Sequence, residues 1–395
     1  MNLAARLAHI EPFYVMECAK AAAEIAASPA CDPRQGGEPM IFLNIGEPDF
    51  TAPPSVVEAA QRCLRAGRTQ YTQATGLPQL REALSGWYRS HFGLDIPARR
   101  IVVTAGASAA LQLACLALVN PGDEILMPDP SYPCNRHFVA AAEGIARLLP
   151  SGPQQRFQLD AAGVEAAWGS NTRGVLLASP SNPTGTSIDA AEMGRIADCV
   201  RRRGGVTMVD EIYLALSYEE RYGHSALAHG EDIISINSFS KYFSMTGWRL
   251  GWLVLPDELV GPVEKLAQNL YICPSSVAQH AALACFEPDA QAVYQAQRAA
   301  FRERRDFIVP ALKRLGLDVP VMPDGAFYAW ADCSRFSNSS WDFCFELMRS
   351  AHLALTPGRD FGRAGVERYL RLSFANALTE LEEAVRRLER VLAAR

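Results

Sequence analysis

Residues 238–251 read SFSKYFSMTGWRLG and follow the short apolar run Ile233–Ile236. A continuous apolar, β-branched run is typical of a strand buried in a parallel sheet, and ligands bind near the carboxyl ends of such strands. The segment contains Lys241, one of four lysines among the 38 basic residues of the chain. A single lysine is usually a solvated surface residue, but this one stands at a predicted strand end and is a candidate for chemistry.

The same alternation extends on both sides of this segment, from about residue 45 to residue 290. Short apolar runs predict strands at Ile101–Thr104, Glu124–Met127, Gly174–Ala178, Val206–Val209, Ile233–Ile236 and Leu250–Leu255. Segments of helical period predict helices at Ser108–Val119 and Ala190–Arg203. Apolar strands that alternate with helices indicate a mostly parallel sheet covered by helices on both faces.

The last third of the chain has a different pattern. A long helix is predicted at Asp289–Leu315, short strands at Gly325–Trp330 and Tyr369–Phe374, and a final helix at Leu378–Ala394. Together with a helix predicted around Met16–Ala27, these elements indicate a smaller α+β domain. We therefore expect an α/β protein with a large domain at 46–290 and a small domain formed by 1–45 and 291–395.

The composition fits two domains and excludes several functional classes. The chain has 395 residues, 49% of them hydrophobic and 21% charged, which supplies a large core and disfavours disorder. The net charge of −5 gives no reason to expect nucleic acid as a partner. Ten cysteines without a C-x-x-C pair disfavour a zinc ribbon or a disulfide scaffold, so we expect reduced thiols and no metal site.

The N-terminus does not have the pattern of a signal peptide, because charged residues interrupt it. No apolar run approaches the ~18 residues that a membrane helix needs. The sequence therefore predicts a cytoplasmic protein without membrane contact.

Small or polar residues follow four of the predicted strands. They are the segments Ala105–Ser108, Ser181–Gly185, Asp210–Tyr213 and Ser238–Lys241, the last with Arg249 eight residues beyond the lysine. Because the carboxyl ends of parallel strands meet at one edge of a sheet, we expect these segments to converge. Small residues that open a helix can bind phosphate through backbone N–H groups. Each segment taken alone also fits an ordinary turn, cap or ion pair.

Two other catalytic patterns are disfavoured. Ser238-x-x-Lys241 also matches a signature of penicillin-binding proteins and β-lactamases, but the companion tripeptides S-D-N and K-T-G are absent from the sequence. There is no G-x-S-x-G nucleophile motif either. His224 and His229 have no acidic residue between them and fit a surface loop better than a metal site.

Taken together, the segments resemble the class I/II aminotransferases, aspartate aminotransferase-like enzymes of fold type I that use pyridoxal phosphate. Residues 238–251 resemble the cofactor-lysine signature of that family. Other family motifs follow in order along most of the chain, at Asn44–Phe50, Tyr71–Arg81, Asp129–Pro133, Ser181–Gly185, Asp210–Tyr213, Pro323–Tyr328 and Arg371–Ala375. Eight motifs in the family's order are far more specific than any one of them.

The resemblance implies a role for each position around the cofactor ring. Lys241 would bond covalently to the cofactor aldehyde, which needs a primary amine, and would later move a proton at the substrate α-carbon. Asp210 would keep the pyridine nitrogen protonated, so that the ring can accept electrons. Asn182 and Tyr213 would bind the phenolic oxygen, and Tyr132 would stack on the ring.

The resemblance also implies how the phosphate and the substrate are held. The phosphate would be bound by the Arg249 and Ser238 side chains and by the backbone N–H groups of Ala107 and Ser108. Tyr71 would reach the phosphate of the neighbouring subunit, which implies a homodimer with shared active sites.

The substrate α-carboxylate would be bound bidentately by Arg371, with help from the backbone of Gly46 and from Asn182.

The implied reaction moves an amino group from an L-amino acid to a 2-oxo acid in a ping-pong cycle between the pyridoxal and pyridoxamine forms of the cofactor. Aspartate-specialised relatives often use a second arginine, from the partner subunit, on the substrate side chain. Between Gly251 and Gln297 there is no arginine, and Lys265 is the only lysine. This favours a monocarboxylic or aromatic donor, with 2-oxoglutarate or pyruvate as acceptor.

Four positions have more than one interpretation. Phe13, Tyr14 and Val15 either line an apolar substrate pocket or pack at the start of a helix. Arg359 either points into the cleft or is an ordinary surface arginine.

Two alternative functions remain open at this point. A β-eliminating C–S lyase of the same fold would share the cofactor residues. A non-enzymatic regulatory domain that binds the cofactor would normally follow a DNA-binding domain, and here the resemblance begins near residue 11.

Overall fold

A computed structural model describes residues 2–12 and 14–393. Its α-helices are α1 (Tyr14–Ala26), α2 (Pro54–Arg65), α3 (Pro78–Phe92), α4 (Ala107–Leu118), α5 (Pro133–Ala141), α6 (Ala161–Ala167), α7 (Ala190–Arg202), α8 (Asp257–Leu270), α9 (Ser276–Ala282), α10 (Pro288–Arg314), α11 (Ser340–Ser350) and α12 (Leu378–Leu392). Its strands are β1 (Ile41–Phe42), β2 (Ile101–Thr104), β3 (Glu124–Asp129), β4 (Ile145–Pro150), β5 (Thr172–Ala178), β6 (Val206–Asp210), β7 (Ile234–Ser238), β8 (Gly251–Val254), β9 (Tyr328–Asp332), β10 (Leu353–Ala354), β11 (Thr356–Pro357) and β12 (Tyr369–Ser373).

The largest sheet of the described chain has the strand order β2-β8-β7-β6-β5-β3-β4. Strand β8 runs antiparallel to both of its neighbours, and the other pairs are parallel, which confirms the mostly parallel sheet. Successive residues of a strand pack into different hydrophobic cores. Leu176 of β5 packs with Met208 and Ile236, whereas Leu177 packs with Val209. Both faces of the sheet are therefore covered, as apolar strands require.

Strand β4 is an element that the sequence pattern misses. It lies at the edge of the sheet and pairs with β3 alone, and its residues are exposed or half-buried. It therefore lacks the continuous apolar run by which the central strands are recognised. The strand predicted at Gly325–Trp330 begins only at Tyr328, because the residues before it form a turn in which Ala326 has a φ of +56°.

The smaller sheets are built from both ends of the chain. Strands β11, β12 and β9 form an antiparallel sheet in that order, and β1 pairs in parallel with β10, with Ile41 opposite Leu353. The N-terminal segment therefore packs with the last third of the chain. On this basis we propose the domain boundaries 46–290, and 1–45 with 291–395. The final helix ends at Leu392, and its predicted end, Ala394, lies outside the described residues.

None of the described helices combines the length and the apolar character that a membrane crossing needs. Across residues 2–12 and 14–393 there is also no group of three or more histidine, cysteine, aspartate or glutamate side chains that could hold a metal ion. The ten cysteines are free thiols, and most of them are buried.

Candidate active site

A cavity of about 570 Å³ opens at the carboxyl ends of β5, β6 and β7. The last residues of these strands, Ala178, Asp210 and Ser238, lie in its wall. The cavity brings together the predicted site residues Gly46, Ala107, Ser108, Tyr132, Asn182, Asp210, Tyr213, Ser238, Lys241, Arg249 and Arg371. The convergence expected from the strand ends is therefore observed.

Lys241 lies three residues after β7, in the loop that returns the chain to the antiparallel strand β8. Its Nζ donates a hydrogen bond to the carbonyl oxygen of Gly46 at 2.5 Å. Burial lowers the pKa of Lys241 to about 8, and the guanidinium groups of Arg371 and Arg249 act in the same direction. About half of this amine is therefore neutral, and nucleophilic, near pH 8. The other lysines of the chain are exposed: Lys20, Lys265 and Lys313.

Asp210 ends β6 and is 3% exposed. Its carboxylate accepts a hydrogen bond from the backbone N–H of Ile212 at 3.2 Å. Burial raises the pKa of Asp210 to about 7, and the nearby charge of Glu211 raises it further, while Lys241 lowers it. No described cation forms an ion pair with this carboxylate, so a positively charged ring nitrogen would supply a missing partner.

The start of α4 and the Arg249 side chain meet at one end of the cavity. Helix α4 begins at Ala107 after Gly106, whose φ of +84° and ψ of 167° lie in a region that other residues rarely adopt. A Cβ atom at Gly106 would lie 2.7 Å from Nη2 of Arg249, so the guanidinium reaches directly over the helix start. The first N–H groups of a 12-residue helix, facing an arginine and the Ser238 hydroxyl, fit a phosphate group.

Arg371 is 3% exposed and has neutral partners. It donates hydrogen bonds to Oδ1 of Asn182 at 2.8 Å and to the carbonyl oxygen of Asn44 at 2.6 Å. Its guanidinium also lies 4.5 Å from the centre of the Tyr328 ring and 4.9 Å from that of Phe361. None of the described carboxylates forms an ion pair with it, and Asp360 interacts with it only through charge at a longer distance. A buried guanidinium of this kind fits a substrate carboxylate, which would neutralise it.

Tyr213 and Tyr328 form a buried pair whose hydroxyl oxygens are 2.7 Å apart. A Cβ atom at Gly46 would lie 2.3 Å from the Tyr328 hydroxyl, so only a glycine allows this approach. The sequence motifs indicate no role for Tyr328, although this residue lines the cavity and contacts both Tyr213 and Arg371. They also indicate none for Glu47, which lines the cavity and accepts a hydrogen bond from the Thr246 hydroxyl.

Some predicted positions lie elsewhere. The side chain of Tyr71 is outside the cavity and 79% exposed. Val15 lines the cavity, whereas Tyr14 packs edge-on against Trp341. Arg359 pairs with Glu367 and stacks on Trp341, so it does not enter the cavity. Phe13 lies outside the described residues.

These residues fit pyridoxal phosphate in chemistry as well as in number. An amine, a carboxylate without a cation partner, an anion site and a second, buried guanidinium share one cavity. They correspond to the aldehyde, the ring nitrogen and the phosphate of the cofactor and to the carboxylate of an amino acid.

Comparisons with known proteins identify the family of the chain. The family model described as "Aminotransferase class I and II" matches residues 38–388. The valine–pyruvate aminotransferase of Mycobacterium tuberculosis is 37% identical over 96% of both chains. An aspartate aminotransferase of Pyrococcus horikoshii is 34% identical over 90% of this chain and 91% of its own.

Solved structures give the same result for the fold. An aminotransferase from Mycobacterium tuberculosis superposes with a TM-score of 0.94, at 36% identity and full coverage of both chains. The aspartate aminotransferase of Thermus thermophilus with maleate has a TM-score of 0.90, at 31% identity over 99% of this chain and 100% of that one. The predicted fold class and the predicted aminotransferase activity are confirmed, in preference to the lyase and regulatory alternatives. The chain belongs to the class I and II aminotransferases, a family that uses pyridoxal phosphate.

Proposed function

We propose that this aminotransferase holds pyridoxal phosphate on Lys241 and acts on amino acids with a neutral side chain. The proposed donor class rests on the positively charged side chains in the cavity. Among the described residues in its wall, the basic side chains are those of Lys241, Arg249 and Arg371. Each has a task toward the cofactor or the α-carboxylate, so none is left for a second substrate carboxylate.

The proposed cofactor-binding roles are those implied by the family motifs, and they are supported by the convergence of these side chains on one cavity. Lys241 supplies the amine, and Asp210 pairs with the ring nitrogen. Asn182 and Tyr213 donate to the phenolic oxygen, and Tyr132 packs on the ring. Arg249, the Ser238 hydroxyl and the backbone of Ala107 and Ser108 bind the phosphate. When bound, the cofactor stores the amino group between the two half-reactions and takes up the electrons released at the substrate α-carbon.

The protein supplies orientation and a proton carrier. Arg371 binds the α-carboxylate in a fixed direction, with the backbone of Gly46 and the Asn182 amide beside it. The amine of Lys241, once free of the cofactor, removes the proton of the α-carbon. A pKa near 8 suits this task, because such a base is available near neutral pH and can also return the proton.

The pocket for the substrate side chain is apolar on the side of α1. Val15, Met16 and Ala19 line it from α1, and Ile45 lines it from the loop after β1. The acceptor uses the same pocket in the second half-reaction, so the lack of a further cation there also favours pyruvate over 2-oxoglutarate. The relative named valine–pyruvate aminotransferase supports this choice, whereas the relatives named aspartate aminotransferase do not.

We also propose a homodimer with shared active sites. Tyr71 is 79% exposed and outside the cavity of its own chain, which leaves its hydroxyl available for the phosphate site of a neighbouring subunit.

An absorption experiment tests the cofactor and the donor together. We expect the purified protein to absorb visible light through the bound cofactor and Lys241→Ala to lose this band, while the exposed-lysine control Lys265→Ala keeps it. Alanine, valine and phenylalanine, added singly at equal concentration, should then bleach the band, and aspartate should not. A colourless wild-type protein that cannot be reconstituted contradicts the cofactor proposal. Bleaching confined to aspartate and glutamate contradicts the donor class.

A further inference from the structure

One wall of the cavity is not attached to the sheet that carries the cofactor residues. This wall is the first turn of α1, from which Val15 and Met16 reach the cavity. The first N–H groups of a helix have no partner within the helix, and here they are turned toward another segment of the chain. The Asp360 carboxylate accepts hydrogen bonds from the N–H groups of Tyr14 at 3.2 Å and of Val15 at 2.9 Å.

The environment of Asp360 favours this contact. Its side chain is completely buried, and burial raises its pKa to about 6, so the group is charged at neutral pH. A charged carboxylate at the start of a 13-residue helix also interacts favourably with the helix dipole. The contact therefore combines two hydrogen bonds with a favourable charge.

The turn that carries Asp360 is anchored without its carboxylate. The carbonyl oxygen of Asp360 accepts a hydrogen bond from Arg136 at 3.3 Å, and the carbonyl oxygen of Phe361 accepts one from the N–H of Ser131 at 2.7 Å. The carboxylate of Asp129 accepts further hydrogen bonds from the backbone N–H groups two and three residues after Phe361. Loss of the Asp360 carboxylate should therefore release α1 and leave the turn in place.

The same turn reaches the α-carboxylate site. Phe361, the next residue, lies with its ring centre 4.9 Å from the guanidinium of Arg371. Two adjacent residues thus contact the helix that bounds the side-chain pocket and the arginine proposed to bind the α-carboxylate.

We propose that Asp360 is a positioning residue that sets substrate selectivity, because its carboxylate holds the first turn of α1 as the apolar wall of the side-chain pocket. The inference rests on the proposed function, since it assumes that the substrate side chain meets this wall. The methyl group of alanine has less apolar area to bury against this wall than the side chain of valine, so its binding should depend less on the position of α1.

The first measurement follows the position of α1 in the holoenzyme. Cys18 lies on α1 and is completely buried against Met348 and Ala354. N-ethylmaleimide labelling of Cys18, measured by mass spectrometry, therefore reports release of the helix. In Asp360→Ala we expect labelling to be faster by about fivefold, the factor that corresponds to loss of one helix cap. Asp160→Ala, which removes the capping carboxylate of α6, is the matched control and should leave Cys18 unchanged.

The second measurement separates positioning from a general loss of structure. In Asp360→Ala the ratio of the KM for valine to the KM for alanine should rise by about the same factor, while both kcat values stay close to wild type. The ratio removes any common effect at Arg371, whose charge also acts on Asp360. Unchanged labelling of Cys18, or an equal change for valine and alanine, overturns the proposal.

Two further comparisons keep the outcome unambiguous. If Cys285, in the core of the protein, is also labelled in Asp360→Ala, the variant is unfolding. The proposal is then tested with Asp360→Asn, which keeps the side-chain volume, by the same two measurements. Labelling of Cys18 needs neither a particular donor nor turnover. A failure of the proposed function, seen as a colourless protein or as activity on aspartate alone, is therefore recognised separately.

Discussion

At the scale of single residues, burial shifts Lys241 and Asp210 in opposite directions and favours the neutral form of each. Both are expensive to keep charged in the cavity, and each gains a partner when the cofactor is present. Sequence motifs were enough to find these two residues and Arg371. They did not give a role to Tyr328, because its contacts with Tyr213 and Arg371 depend on strand pairing that the linear sequence does not show.

The shifted pKa of Lys241 gives a prediction that needs no cofactor. The cofactor-free protein is treated with a low dose of acetic anhydride at a series of pH values, and modification of each lysine is measured by mass spectrometry. Acetylation of Lys241 should rise with pH with a midpoint at about 8, because burial lowers its pKa from 10.5 and only the neutral amine reacts.

The exposed Lys265 is an internal reference for decay of the reagent. Nα-acetyl-lysine amide, which has a free ε-amine, shows the pH dependence of an unperturbed lysine. A midpoint for Lys241 near 10.5 contradicts the assigned environment.

At the scale of elements, the site depends on how strands end and helices begin. Most central strands could be predicted because they are continuously apolar, and the site residues follow directly from their carboxyl ends. The edge strand β4 could not, since half-buried residues carry no such pattern. The sequence also does not show that α1 lines the cavity. Tyr14 and Val15 are adjacent in the helix and point in different directions, and of these two only Val15 lines the cavity.

The junction before α4 gives a prediction at this scale. Gly106→Ala places a methyl group 2.7 Å from Arg249 Nη2, in a backbone conformation that alanine rarely adopts. The methyl group must displace the Arg249 guanidinium, and a hydrogen bond between charged groups is worth about 1.5–3 kcal/mol, so the dissociation constant of pyridoxal phosphate should rise by about tenfold or more. Equilibrium dialysis of the variant measures it directly.

Gly122→Ala separates the two causes of that loss. Gly122 also has a positive φ, of +86°, but a Cβ atom there meets nothing within 4 Å. It should lower stability without changing cofactor affinity. Equal affinity losses in the two variants contradict a phosphate site at the start of α4.

At the scale of the whole molecule, the proposed active site needs two chains. Each site takes Lys241 and Arg371 from one subunit and Tyr71 of the partner subunit. The contacts within one chain do not show the proposed dimer, because Tyr71 is exposed and lies outside the cavity of its own chain.

Mixed dimers test this arrangement. Lys241→Ala and Tyr71→Ala proteins are unfolded together, refolded and assayed. A mixed dimer has one site with both wild-type residues and one with neither. Random pairing makes half of the dimers mixed, so activity should recover to about a quarter of wild type.

Lys241→Ala mixed with Arg371→Ala is the control. Both residues belong to the same site of the same chain, so each site of the mixed dimer lacks one of them and no activity should return. Equal recovery in the two mixtures, or none in either, rules out the shared site.

The hydrogen bond from Arg371 to the carbonyl oxygen of Asn44 joins residues 327 positions apart. Lys241, by contrast, lies between two strands that are neighbours both along the chain and in the sheet. During synthesis the lysine loop can therefore form long before Arg371 has left the ribosome. Within one chain, the residues proposed to bind the cofactor, from Ala107 to Arg249, are therefore all synthesised before the arginine proposed to bind the substrate.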